Sequence, residues 1–149
     1  HTIGVALSPC IVPEVGKPTF QIEDDELELG MGIHGEKGIS VQRMSTADEI
    51  ADQMFDQLAA DAQLKAGDEV SVMVNGLGAT PLEEQFIVYR RIAQRLKELD
   101  VSVFMPHVGE FATSMEMAGL SVTIFNLDEE LKELLRAPAN TPFYTNANK

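Results

Sequence analysis

The stretch from Thr46 to Met105 constrains the fold most, because it reads as helix, strand, helix, strand with short links. Thr46-Ala47-Asp48-Glu49 is a capping-box pattern, in which the threonine hydroxyl and the glutamate carboxylate satisfy reciprocal backbone donors. Ile50, Met54, Leu58 and Ala62 recur every four residues behind it, which predicts a helix to about Ala66, stopped by Gly67. Glu69 to Val74 is a β-branched, apolar strand. A second helix is expected from Thr80 as its cap and Pro81 in its first turn, where a missing N–H costs nothing. Its apolar face is read as Phe86, Ile87, Ala93, Leu96 and Leu99, and its end falls near Asp100. Val101 to Met105 is again strand-like. Such a succession implies a right-handed crossover joining two parallel strands.

The flanks add strands without helices between them. Thr2 to Ser8 is a plausible strand, and the three prolines and a glycine between Pro9 and Pro18 make a loop. Glu26-Leu27-Glu28-Leu29-Gly30-Met31 alternates charged and apolar residues, which predicts one wet and one buried face. Ile39 to Arg43 resumes as a short strand, and Leu120 to Leu127 alternates as another. A short helix follows over Asp128 to Leu135, and the tail from Arg136, with Pro138 and Pro142, reads as irregular. Five or six strands and three helices, linked early by loops and later by helices, favour an α/β two-layer sandwich. The expected sheet is mixed, with helices on one face.

With 149 residues, 44% of them hydrophobic, the chain suits one domain. It opens inside a strand without an initiator methionine, which reads as a piece of a longer protein. No apolar run approaches the roughly 18–20 residues of a membrane span. The 24 acidic against 11 basic residues, net −13, would repel nucleic acid and anionic lipid. The lone cysteine, Cys10, forms no internal disulfide or thiolate zinc site and fits a reducing cytoplasm.

The most unusual segment is Gly30-Met31-Gly32-Ile33-His34-Gly35-Glu36-Lys37-Gly38. Four glycines in nine residues cost backbone entropy, and strands seldom carry them without a bulge or a close ligand. On composition alone His34 is a turn histidine, more often a surface residue than a functional one. The segment resembles the active-site signature of the substrate-binding subunit of dihydroxyacetone kinases, G-[IVM]-G-[IV]-H-G-E-P-G. Other stretches are similar to that family in the family's order: Gly4 to Ser8 with Cys10 and Val12-Pro13, Gly16 to Phe20, Val74 to Leu82, Gly109 to Ser114 with Met117 to Gly119, and Leu131 to Phe143. The one departure in the core motif is Lys37, where proline is usual; it bears on the turn more than on the chemistry.

The resemblance implies that the chain is the second, C-terminal domain of that subunit, with its first domain absent. It implies that His34 is the catalytic and substrate-binding residue, forming a hemiaminal with the ketone of dihydroxyacetone. A neutral imidazole nitrogen is a nucleophile, and with an ordinary pKa of about 6.5 most of it is neutral in the cell. It has no second proton to lose, so the adduct stops at a reversible carbinolamine, and glycerol has no carbonyl to add to. Glu36 either accepts from the other ring nitrogen and sets the tautomer, or is a solvated turn residue. The family's general acid and base belong to the preceding domain. The implied partners are a nucleotide-bearing L subunit, on which nucleotide and magnesium are expected, and a second copy in a homodimer. No cofactor or metal is expected in this chain. An end at Lys149 resembles the bacterial form fed by the phosphoenolpyruvate phosphotransferase system; the ATP-dependent single chain would continue. Two other readings are a dihydroxyacetone-binding transcriptional coactivator, which keeps His34, and a fatty-acid-binding carrier with a related domain, against which the Gly-Ile-His34-Gly-Glu segment argues.

Other signals are weaker. The Asn75 to Pro81 loop lies where phosphate loops often sit, yet it lacks both a third glycine and Gly-Lys-Ser/Thr, and reads as a structural or subunit-contact loop. His107, Glu110 and Glu116 do not make a ligand set, and His107 is expected at a pocket rim or in packing. Glu23 to Glu26 reads as a solvated run. Met54, Met73 and Met105 fall at core spacing.

Overall fold

The computed structural model describes residues 1–18, 20–32 and 38–147. Its main sheet has six strands in the order β3-β2-β1-β6-β4-β5. The strands are β1 (Thr2–Ala6), β2 (Glu26–Met31), β3 (Ser40–Arg43), β4 (Glu69–Gly76), β5 (Ser102–Gly109) and β6 (Gly119–Asn126). Helices α1 (Ala47–Asp61) and α2 (Leu82–Glu98) follow β3 and β4, and α3 (Glu129–Arg136) follows β6. The pair β4–β5 is parallel, as the crossover through α2 requires, and the other pairings are antiparallel. The expected mixed sheet is therefore present.

Strand periodicity builds the core. Ile3 and Val5 of β1, Leu27 and Leu29 of β2, Val70, Val72 and Val74 of β4, and Leu120, Val122 and Ile124 of β6 face one side. Ile50, Met54, Phe55 and Leu58 of α1 and Val88, Ile92 and Leu96 of α2 cover them. On the opposite side a smaller cluster joins Ala6, Cys10, Met31, Leu77 and Met117.

Several expectations are corrected. Helix α1 ends at Asp61, five residues early, because Gln63 takes a left-handed turn (φ 52°) that lets Leu64 pack on the core. The amide of Asn126 then donates to the carbonyl of Ala62 at 3.1 Å, closing the helix end from β6. The buried face of α2 is Gln85, Val88, Ile92 and Leu96, whereas Phe86, Ile87 and Leu99 are exposed. A buried glutamine at the head of the stripe disguised it: Phe86 and Ile87 look like the better core residues and lie about 100° and 200° further round.

Thr80 does not cap α2. Pro81 holds the cap position, and the Thr80 hydroxyl instead bonds Gly119, accepting from its N–H at 2.8 Å and donating to its carbonyl at 2.7 Å. The tail is not irregular throughout, since β7 (Ala139–Asn140) and β8 (Thr145–Asn146) pair as a short hairpin. Met54 is fully buried, while Met73 and Met105 are half-buried.

Candidate functional site

Strand β2 sets up the glycine-rich segment. Val5 of β1 pairs with Leu29 and Gly4 pairs with Met31, so Gly30 is an extra residue with no partner on β1. This is a bulge, and Gly30 has the left-handed φ of 82° that such a position favours. A Cβ there would stand 2.5 Å from Cγ1 of Ile39, so the bulge and the returning chain are packed against each other. The extra residue turns Met31 to the side opposite Leu29, where it joins Ala6, Cys10, Leu77 and Met117.

The chain leaves β2 after Met31 and returns at Gly38. Two bonds tie the returning chain to β2: Ile39 N–H donates to the carbonyl of Leu29 at 2.7 Å, and Gly38 N–H to the Glu28 carboxylate at 2.6 Å. His34 and Glu36, with Ile33, Gly35 and Lys37, lie outside the described residues. The described residues thus frame the candidate catalytic histidine on both sides.

Glu28 departs from the sequence expectation. Alternation placed it on a wet face, yet it is 7% exposed. Its position directly before Leu29-Gly30 carries no sequence signal of burial. Only the neighbours on that side of the sheet decide it.

Beside Gly32 a narrow cleft opens on the side away from α1 and α2, lined by Gly4, Met31, Gly32, Leu77, Ser114, Met117 and Ser121. Among the described residues its wall carries no charged side chain. The hydroxyls of Ser114 and Ser121 are engaged within the protein, by Cys10 Sγ and Asn75 Nδ2, and the cleft has room for little more than a water-sized molecule.

Asn75 shapes that wall and is fully buried. Its Nδ2 donates to the Ala112 carbonyl at 2.8 Å and to Ser121 Oγ at 3.2 Å. Its Oδ1 accepts from the N–H groups of Phe111 and Ala112, each at 2.8 Å. Ser114 N–H donates to the Leu77 carbonyl at 2.8 Å, so the segment after β5 is pinned over the cleft. Within the Asn75 to Pro81 stretch, Asn75 and Thr80 are both engaged in hydrogen bonds inside the protein.

His107 lies in a second groove on the same side, with Ser71, Met73, Thr123, Phe125 and Leu135. Its Nε2 is 2.9 Å from the Tyr144 hydroxyl, and Phe111 meets the ring edge-on. Glu110 accepts from Gln85, and Glu116 accepts from Ile11 N–H at 2.7 Å. The three residues do separate jobs, and no group of three or more metal-ligating side chains occurs among the described residues. Nor is any helix among them long and apolar enough to cross a membrane.

The six-stranded mixed sheet, with α1 and α2 over one face and a glycine bulge at Gly30 in β2, defines an α/β sandwich domain. The chain belongs to the Dak1 domain family, whose model matches residues 1–143. It is 46% identical, over 96% of its length, to the dihydroxyacetone-binding subunit of a PTS-dependent dihydroxyacetone kinase from Listeria innocua, covering 43% of that protein. A solved structure of the dihydroxyacetone kinase operon co-activator Dha-DhaQ superposes with a TM-score of 0.82 at 33% identity, over 93% of this chain and 43% of that one. The dihydroxyacetone kinase from C. freundii, solved with AMP-PNP and Mg2+, gives 0.74 at 30% identity, over 91% of this chain and 25% of that one. The chain thus spans less than half the length of these relatives.

Proposed function

We propose that this chain is the second domain of the dihydroxyacetone-binding subunit of a dihydroxyacetone kinase, and that His34 links the substrate covalently. The observation that carries the reading is the Gly-Ile-His34-Gly-Glu segment, set between two ordered loop ends in a Dak1 domain. In the linking step an imidazole nitrogen lone pair forms the N–C bond to the ketone carbon. The carbonyl π pair passes to oxygen, which takes a proton, and the other ring N–H gives one up. The product is a neutral hemiaminal, formed without oxidant or leaving group.

A terminal hydroxyl of the anchored triose then accepts the phosphoryl group from a nucleotide-bearing L subunit, which would carry the nucleotide and magnesium. The general acid and base come from the upstream domain, and the binding subunit works as a homodimer in the cytoplasm. The PTS-dependent name of the Listeria innocua relative supports the phosphotransferase system as the phosphoryl source. The co-activator structure favours one second reading, a dihydroxyacetone-sensing regulator using the same histidine. The upstream domain separates the two by having or lacking the acid–base pair.

The test is His34→Ala in the full-length subunit. The adduct, read as a mass increment or as density joining imidazole to triose, should vanish. KM for dihydroxyacetone should rise at least about tenfold, equivalent to about 1.4 kcal/mol of binding, with a smaller fall in kcat. Discrimination against glycerol should be lost as well. A variant that keeps the adduct, or its full preference over glycerol, removes His34 from this role.

A further inference from the structure

Glu28 carries a carboxylate into a buried position on the middle strand of the β3-β2-β1 trio. Taking a carboxylate out of water is costly unless hydrogen bonds replace the lost solvent. Glu28 receives such a bond from Gly38 N–H at 2.6 Å, a short contact of the kind a carboxylate acceptor favours. The hairpin does not need that bond for closure, because Ile39 N–H already bonds the Leu29 carbonyl. Gly38 is what lets the carboxylate approach. A Cβ there would stand 2.5 Å from Cγ of Glu28 and 2.8 Å from the Leu29 carbonyl oxygen. A charged side chain and a side-chain-free residue are thus matched at the return end of the loop that contains His34.

We infer that Glu28 is a positioning residue: its buried carboxylate holds the Gly38 end of the glycine-rich loop and so sets where His34 is presented to the substrate. The inference rests on the proposed role of His34. Glu28 stands on a strand paired on both sides, whereas the loop contains glycines whose ordering costs entropy. Supporting groups act best from rigid elements. Removing the support leaves the imidazole chemically intact and makes its alignment part of the cost of binding.

The full-length subunit is titrated calorimetrically with dihydroxyacetone, and its steady-state kinetics are measured with the partner subunit. The variants are Glu28→Ala, Glu28→Gln, His34→Ala and the Glu28→Ala/His34→Ala pair. Glu28→Ala should raise Kd and KM at least about fivefold, with a smaller change in kcat. Glu28→Gln keeps an oxygen that accepts from Gly38 N–H and should recover most of the loss. In the His34→Ala background Glu28→Ala should add nothing, since the two act through one contact. If Glu28→Ala fails to fold, Glu28→Asp, one methylene short of Gly38, carries the same comparison. Wild-type binding by Glu28→Ala beside a defective His34→Ala overturns the inference alone, as do effects of the two substitutions that simply add. Wild-type binding by His34→Ala overturns the histidine reading and this one with it, and shows without any Glu28 variant.

Discussion

Asn75 uses every polar position of its amide, two donors and two acceptors, inside the protein. Replacing it with alanine strands two backbone N–H groups and one carbonyl at the base of the segment that covers the cleft. Asn75→Ala should therefore lose about 2–4 kcal/mol of stability, read as a lower urea midpoint at unchanged m-value. Little of this was legible in the sequence, where Asn75 stood only as the first residue of a two-glycine loop. Its partners, Phe111, Ala112 and Ser121, lie 36 to 46 residues away along the chain. Glu28 escaped the sequence reading for the same reason, because an alternating pattern cannot say which of its faces a distant segment will cover. His34 drew notice only through the motif around it, which is local.

Helices α1 and α2 are joined along their length by arginine–aspartate pairs. Arg91 grips Asp52 with Nε at 2.9 Å and Nη2 at 2.8 Å, and Arg95 bridges Asp52 and Asp56 at 2.7 Å each. Arg90 pairs with Asp48 a turn earlier. The hydrogen bonds from Arg91, and then those from Arg95, hold the Asp52 carboxyl below the usual carboxylate range against the opposing effect of desolvation. A carboxyl whose folded pKa is depressed stabilises the fold above its unfolded pKa, about 3.9, and loses that contribution as pH falls through the folded value. Asp52→Asn should therefore unfold at lower urea than the wild type at pH 7, with the gap closing below about pH 4. The α1 cap is a separate contribution. Thr46 Oγ1 accepts from Glu49 N–H, and the Glu49 carboxylate accepts from Thr46 N–H at 2.9 Å, as the capping box foretold. Thr46→Ala should cost about 1 kcal/mol in the same unfolding measurement.

At the scale of the whole molecule, the main core lies between α1, α2 and the six-stranded sheet. The opposite side of the sheet carries the cleft and the His107 groove. The resemblance places the general acid and base outside this piece, and such groups typically contribute about 10²–10⁴-fold to rate. Purified residues 1–149 should accordingly unfold in one cooperative transition, followed by circular dichroism. Supplied with partner subunit and phosphoryl donor, they should form no dihydroxyacetone phosphate. Turnover by the isolated piece would show that it holds a complete site.

What the sequence by itself determined is whatever is decided within a few residues of chain. The capping box at Thr46, the strand periods, the parallel crossover through α2 and the glycine-rich signature all rest on neighbours, and each stands in the structure or in the family match. Only the tertiary structure decided which stripe of α2 is buried, where α1 stops, what Thr80 bonds and which side chain holds Gly38. The physical reason is shared by all four. The α2 stripe depends on the sheet beneath it, the end of α1 on Leu64 and Asn126, and the Thr80 hydroxyl on Gly119. The Glu28 carboxylate depends on Gly38 brought back by a hairpin. Each is a contact between segments that the sequence separates, and folding alone makes them neighbours.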